Sequence, residues 1–513
     1  AIRFAPSDHA GSFWIRDPRI TTFDGRTVRR FSAGDFSVNA DVAELKESAG
    51  IIELRTTPHG SRPELSFQFD PVLPLAFGFW SKVWLICPRW LWTFGLTFAG
   101  ILVAQAVIRQ RFRCPAGIAA FCQQRPRTAL ALCAALAAVT SSYPVVFFGK
   151  SFMSPTTGAL LLYDHAPTLP GFTDLRPDNA YGSDVGAMMW QHLPYTVRQH
   201  HALRDGALPL WNRYDSVGAI LFGQGQSMFG DPLHFLEIAA GGQAWAFDLK
   251  FVVVRALFAF GVGLCVWSLT RDFTAAAIAT FASVFIAFFN YRGNHPAIFS
   301  LGYSPWVLVG WLQLIGASDR RAFRRALVLW FAANWFLLTS GTVKEAYMLG
   351  LSLNGTGVLM FVFAPSVAGD KLRRAGIIAF AGAAFLLVAS PILWTFFHSL
   401  AASYTSYEVP TVFQIQRGWF VGLFDDLFYR EFIPDNQVYQ PAANFLILLG
   451  CFCAVLQPRR LLASRGALAL LVTALIALSL AFEIVPAAWL LPWPLVRNVP
   501  HFHNIFSDWQ SAV

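Results

Sequence analysis

The sequence predicts a mainly α fold: a polytopic transmembrane helical bundle of about ten spans, with external juxtamembrane helices and a small N-terminal β-rich external domain. Three observations carry this. Of 513 residues, 55% are hydrophobic, 15% aromatic and only 13% charged, with mean hydropathy +0.47, whereas a soluble domain carries about 25% charged residues. Apolar stretches near membrane length recur from residue 77 onward. Lysines and arginines gather in every second connection between them.

Residues 1–75 have a different period. Thr27-Val28-Arg29-Arg30-Phe31, Gly50-Ile51-Ile52-Glu53-Leu54-Arg55 and Pro63-Glu64-Leu65-Ser66-Phe67-Gln68-Phe69-Asp70 read as short strands between Gly, Pro and Asp turns. This stretch is expected to be a β-rich domain, either a glycan-binding module or a packing lid. The opening AIRFAPSDHAGSFW has neither a charged n-region nor an apolar h-region. An upstream signal or membrane segment is the expectation.

Residues 76–513 form the transmembrane domain. A bilayer core takes about 20 predominantly apolar residues per helix. Candidate spans fall at roughly 77–108, 128–148, 249–270, 273–290, 298–316, 325–341, 346–365, 376–396, 442–457 and 466–485. Arg109, Arg111, Arg113, Arg125 and Arg127 follow the first, and Arg271 the third. Arg320, Arg321, Arg324 and Arg325 follow the fifth, Lys371, Arg373 and Arg374 the seventh, and Arg459, Arg460 and Arg465 the ninth. By the positive-inside rule these connections are cytoplasmic. Loops 149–248 and 397–441, the tail from about 486 and the N-terminal domain are then external. The net charge of +9 is thereby a topology signal, and no nucleic-acid partner is implied.

The seven cysteines (Cys87, Cys114, Cys122, Cys133, Cys265, Cys451 and Cys453) lie in or beside apolar segments or in a cytoplasmic loop, so no structural disulfide is expected. Cys451-Phe-Cys453 has no nearby Cys or His and reads as two small residues of a membrane helix.

The external loop 149–248 is too long to be structureless. Ser183 is a good N-cap, Gly206 a good C′ residue, and Pro209 follows. A helix of about 20 residues is expected between them, kinked at Pro194. Asp184, Gln191, Tyr195 and Arg198 fall on one face, which suits a helix at the membrane surface with a polar stripe toward a cavity. Trp211-Asn212-Arg213-Tyr214 is an aromatic and polar cluster, and Asp231-Pro232-Leu233-His234 leads to the next span.

The order Asp184, Gln191, Pro194, then ALPLWNRYDSVGAILFGQGQSMFGDPLHFLEI, resembles the first external loop of bacterial YfhO-like membrane proteins, within the GT-C class of polytopic glycosyltransferases. Leu495-Val496-Arg497-Asn498-Val499-Pro500-His501-Phe502 is similar to the family's Arg-x-Pro-x-Phe-like element, with two residues between Arg497 and Pro500 instead of one. The N-terminal domain matches nothing in that family. Family members run on into further spans beyond the point where SDWQSAV stands here. The resemblance implies a GT-C bundle in the bacterial inner membrane, with its large loops on the periplasmic side. It also implies a polyprenyl-phosphate sugar donor and an envelope glycan or lipid-linked acceptor. A carboxylate in the first external loop would act as base.

Such chemistry needs a carboxylate for the acceptor proton and cations for the departing phosphate. Asp184 is the first candidate base, Asp231 the second and Asp164 the third. Arg198, His200, His201, Arg213, Lys344, Arg417 and Arg497 are the phosphate-partner candidates. Lys344-Glu345, at the predicted outer surface, is read either as part of the site or as a structural ion pair. Gln191, His192, Tyr195, Trp211, Asn212, His234 and His295 complete the expected substrate-binding set. Loop 397–441, with Tyr404, Tyr407, Glu408, Asp425 and Trp419, suits sugar contact and equally an interfacial aromatic belt.

Other signals fail. Gly149-Lys150-Ser151 lacks the upstream P-loop glycine, since Pro144 stands there. His165, His200 and His201 complete no metal-ligand spacing. No resident metal is therefore expected, and a divalent cation held by Asp and phosphate is the one cofactor left open. Two alternatives to the enzyme remain: a transporter or flippase for lipid-linked glycans, and a non-catalytic polyprenyl-lipid-binding partner of an envelope enzyme.

Overall fold

The computed structural model describes residues 2–4, 10–21, 27–48, 50–58, 63–67, 91, 95, 98–99, 116–153, 188–215, 218–223, 226–286, 289, 296–365, 368–402 and 464–481. They are mainly helical, with a small N-terminal strand region. The chain divides into two compact units, Ala1–Lys82 and Val83–Val513.

The first unit is antiparallel throughout. Its strands are β1 (Ile2–Phe4), β2 (Ser12–Arg16), β3 (Arg19–Thr21), β4 (Thr27–Arg30), β5 (Ser37–Val38), β6 (Val42–Ser48), β7 (Ile51–Thr56) and β8 (Leu65–Phe67). One sheet has the order β2-β7-β6, another β1-β8-β5, and β3 pairs with β4. The period of two gives the reason: Ile52 and Leu54 of β7 are buried, while Arg55 faces out. Leu54 packs with Val42 and Leu65, flanked by Phe13, Ile15, Phe36 and Leu45. The three expected strand runs coincide with β4, β7 and β8.

The second unit holds α1 (Ala116–Gln124), α2 (Pro126–Ser141), α3 (Tyr143–Phe148), α4 (Leu193–Arg204), α5 (His234–Ala239), α6 (Ala244–Thr270), α7 (Phe273–Ser283), α8 (Ala297–Gly316), α9 (Arg320–Thr339), α10 (Val343–Phe363), α11 (Ala368–Ala402) and α12 (Arg465–Ala481). Among the described residues, four helices are long and apolar enough to cross a membrane: Ala244–Thr270, Ala297–Gly316, Glu345–Phe363 and Gly369–Ser399. Pro126–Ser141, Phe273–Ser283 and Arg465–Ala477 are apolar but shorter. The expected span 325–341 overlaps α9 up to Thr339, and the first turns of α9 carry Arg320, Arg321, Arg324 and Arg325. Stretches 77–108 and 442–457 lie outside the described residues, apart from helical positions 91, 95, 98 and 99.

The basic connections are cut by caps. Arg271 ends α6 in the left-handed region (φ 56°), and Asp272 at once accepts from the Thr274 and Ala275 amides to start α7. Asp319 likewise accepts from the Ala322 amide to start α9. Gly149, also left-handed (φ 64°), closes α3. Gly149-Lys150-Ser151 therefore follows a helix, whereas a P-loop opens one.

Close approach of the helices depends on glycines, of which two are clear cases. A Cβ on Gly302 of α8 would lie 2.1 Å from Val254 of α6, and one on Gly357 of α10 would lie 2.2 Å from the Trp311 ring of α8. Polar side chains add to this. Asn354 of α10 accepts from the indole N–H of Trp311 (2.9 Å) and of Trp330 (2.8 Å), and donates to Asn334 Oδ1 (2.7 Å) and Gly350 O (2.8 Å). The Asn354-Gly-Thr sequon is thus committed to joining α8, α9 and α10. Asn354→Leu strands two indole donors, each costing about 1–3 kcal/mol. A clear fall in thermal unfolding temperature in detergent is the expected result, and an unchanged temperature would remove the network from the account of stability.

Phe380, Leu387 and Trp394 recur every seventh residue on α11 and are 77%, 75% and 75% exposed among the described residues. An apolar stripe of this kind suits contact with lipid.

Candidate functional site

The segment 188–250 builds two polar features, on opposite faces of α4. A π-helical turn, Met188–His192, runs into α4, so Pro194 sits in the first turn of α4, where its missing N–H costs nothing. That is the physical reason the kink expected there is a change of helix type instead. Gly206 (φ 74°) is the expected C′ residue. Next comes the hairpin of β9 (Trp211–Asn212) and β10 (Ala219–Ile220), closed by Gly218 (φ 104°), where a Cβ would lie 2.3 Å from the Trp211 ring.

The first feature is an open cleft of about 790 Å³ between α4 and the hairpin turn. It collects five residues of the expected substrate-binding set: Tyr195, Arg198, His201, Asn212 and Arg213. Tyr214 and Asp215 also line it. The Arg198 and Arg213 guanidiniums lie 5.3 and 4.9 Å from the Tyr214 ring centre. Neither has a carboxylate within ion-pair distance among the described residues. Tyr195 Oη donates to Asp215 Oδ2 (3.4 Å) and accepts from Gln191 Nε2 (3.4 Å). Aromatic surface, two guanidiniums and the carboxylates of Asp205 and Asp215 suit a ligand that is both anionic and hydroxyl-rich.

The second feature is buried. Asp231, His234 and Glu237, spaced by three, turn one face of α5 and its approach toward His192 and Gln199 of the preceding helix, Lys250 of α6 and Tyr303 of α8. Lys250 Nζ lies 3.1 Å from Asp231 Oδ2 and 3.2 Å from Glu237 Oε1, over the Phe299 ring at 4.2 Å. Tyr303 Oη donates to Asp231 Oδ1 (2.7 Å). His192 Nε2 is 2.6 Å and His234 Nδ1 3.5 Å from Glu237 Oε2. His234 Nε2 meets Gln199 Oε1 (2.6 Å), and Gln199 Nε2 donates to Ser227 O (2.8 Å).

Burial works against a charge on Glu237, yet Lys250, His192 and the two imidazole contacts together hold its carboxyl well below the usual range. Burial first, then the Lys250 charge, push His234 down to about 4, against the pull of Glu237. An unfolded chain takes up this proton near its ordinary value of 6.5, so below that pH it binds more protons than the folded one. The His234 contribution to stability is therefore complete above about 6.5 and lost as pH falls toward 4. Unfolding temperatures measured across that window are expected to decline, and His234→Gln to flatten the decline.

Three expected site residues, Asp231, His192 and His234, thus lie in the buried cluster and not on the cleft. The reason is the opposite charge and hydrogen-bonding capacity supplied by Lys250, Glu237 and Gln199. Glu345 is buried and accepts from Thr342 Oγ1 at the start of α10. Trp211 is half exposed on the hairpin. Asp164, Asp184, His295, Arg417, Arg497 and the Lys344 side chain lie outside the described residues. Sequence reasoning missed Asp215, Gln199, Glu237, Lys250 and Tyr303. Two signals were available: the spacing of three from Asp231 to Glu237, and a lysine seven residues into an apolar helix. Compared with known proteins, the chain matches no family model, no curated protein and no solved structure.

Proposed function

We propose that the chain is an integral membrane glycosyltransferase with a GT-C type bundle of about ten spans. It would move a sugar from a polyprenyl-phosphate-linked donor to a cell-envelope glycan or lipid-linked acceptor at the outer face of the inner membrane. The observation that carries this reading is the cleft, in which Arg198 and Arg213 flank Tyr214 beside Asp215. The two guanidiniums suit the departing phosphate, Tyr214 suits a sugar face, and a carboxylate takes the acceptor proton. Asp184 remains the base that the resemblance implies. Asp215, beside Tyr214, is one of two carboxylates that the cleft itself offers, Asp205 being the other.

The test is transfer by purified protein in lipid from a panel of radiolabelled polyprenyl-phosphate sugars to a membrane extract. Label in an envelope product supports the enzyme. Tight donor binding with no transfer from any donor would overturn it. The transporter reading has one observation in its favour: Lys250, in an apolar helix, is buried against two carboxylates, as charged groups on ion paths often are. Flux of a labelled lipid-linked glycan across proteoliposomes, lost in Lys250→Gln, would support that reading instead.

A further inference from the structure

Among the described residues, the buried cluster carries one more negative charge than positive when its imidazoles are neutral: Asp231 and Glu237 face the ammonium of Lys250. The hydrogen-bond directions sharpen this. The Ser227 carbonyl can only accept, so it fixes the Gln199 amide with its nitrogen toward Ser227 and its oxygen toward His234. His234 must then carry its proton on Nε2, and Nδ1 is a bare lone pair. That nitrogen is fully buried, has no hydrogen-bond partner, and lies 3.5 Å from Glu237 Oε2. Two electron-rich atoms therefore face each other out of water, and His192 Nε2 reaches the same oxygen (2.6 Å). With both imidazoles neutral, no described residue places a positive centre between them.

We propose that His192, His234 and Glu237 bind a zinc-class divalent transition-metal ion that fastens the start of α4 to α5. The three donor atoms lie within 4.8 Å of one another. Two donors on one tetrahedral zinc stand about 3.3 Å apart, so small side-chain adjustments bring all three into range. Two imidazoles and a carboxylate are a zinc-type donor set. The surroundings of His234 and Glu237 are those of ligated groups. A ligating histidine normally donates its other N–H to a carbonyl or carboxylate, as His234 does to Gln199. Glu237 keeps its second oxygen on Lys250 (3.2 Å), which orients it and disperses its charge. Such an ion would hold fixed the helix whose opposite face supplies Tyr195, Arg198 and His201 to the cleft. The site stands independently of any transfer activity, because its ligands are separate from the cleft residues.

The test uses full-length protein in detergent with any affinity tag removed. After dialysis, about one zinc ion per chain is expected by atomic emission. Cobalt in its place is expected to give the visible absorption of a tetrahedral site, bleached by added zinc. His234→Ala and Glu237→Gln should lose both signals, while His201→Ala, at an exposed histidine, should keep them. Gln199→Leu leaves all three ligands in place and removes the acceptor for the His234 Nε2–H together with the Gln199 donor to Ser227 O, so it keeps the test alive where a ligand variant misfolds. It should weaken zinc binding about 10–100-fold. Folded wild type that retains no ion and gives no cobalt spectrum overturns the site. Retention unchanged in Glu237→Gln, or lost in His201→Ala, overturns it as well.

Discussion

Lys250→Met is expected to be the most destabilising single change outside the apolar core. The ammonium is fully buried and stands about 3 Å from two carboxylates that are themselves 0% and 2% exposed. Breaking a buried pair leaves an uncompensated charge and costs about 3–5 kcal/mol, and here two carboxylates lose the same partner. Folded protein recovered by size exclusion should fall sharply, and the remainder should unfold several degrees lower. The triple change Lys250→Met, Asp231→Asn, Glu237→Gln removes the charges together and should regain much of the loss, because a neutral cluster has little left to desolvate. A Lys250→Met protein as stable as wild type would mean that the carboxylates are balanced by another group.

On the proposed transferase reading, loss of transfer in a carboxylate variant is the second large expected effect. A general base contributes about 10²–10⁴-fold, so the variant that removes it should lower kcat by that factor with donor affinity little changed. Asp184→Asn and Asp215→Asn, compared in the same assay, separate the base implied by family resemblance from the base implied by the cleft. Arg198→Ala and Arg213→Ala remove donors for the departing phosphate, worth about 10²–10³ each if that charge develops in the transition state. Each also frees the Tyr214 ring, so Lys replacements are informative. Lysine retains the charge but not the planar stacking, and partial rescue by Arg213→Lys would assign the effect to phosphate. If all four variants transfer like wild type, the cleft is not the catalytic site.

Local chemistry was legible in the sequence wherever it acts over a few residues. The apolar period marked the helices. Asp272 and Asp319 caps sit in the basic connections, Gly206 ends α4, and the alternation in Ile51–Thr56 forms a strand with Ile52 and Leu54 inside. The polar face of α4 was also legible, since Tyr195 and Arg198 share a turn and line one cleft. The other face was not. His192, Thr196 and Gln199 are equally polar and equally spaced, and nothing local says that they turn inward.

What the sequence by itself determined is the kind of chain this is: an apolar, arginine-punctuated helical protein with a β-rich start and a polar segment before Ala244–Thr270. These are properties of composition and short-range period, which any solvent boundary reads in the same way. What only the tertiary structure decided is the partnership of its ionisable groups. Asp231 and Asp215 are both aspartates in one loop, but Asp231 meets Lys250 and Tyr303 in a buried cluster while Asp215 meets Tyr195 at an open cleft. The difference comes from groups up to 72 positions away along the chain. A carboxylate's charge state and reach depend on the few ångströms around it, and those are set by packing between distant segments.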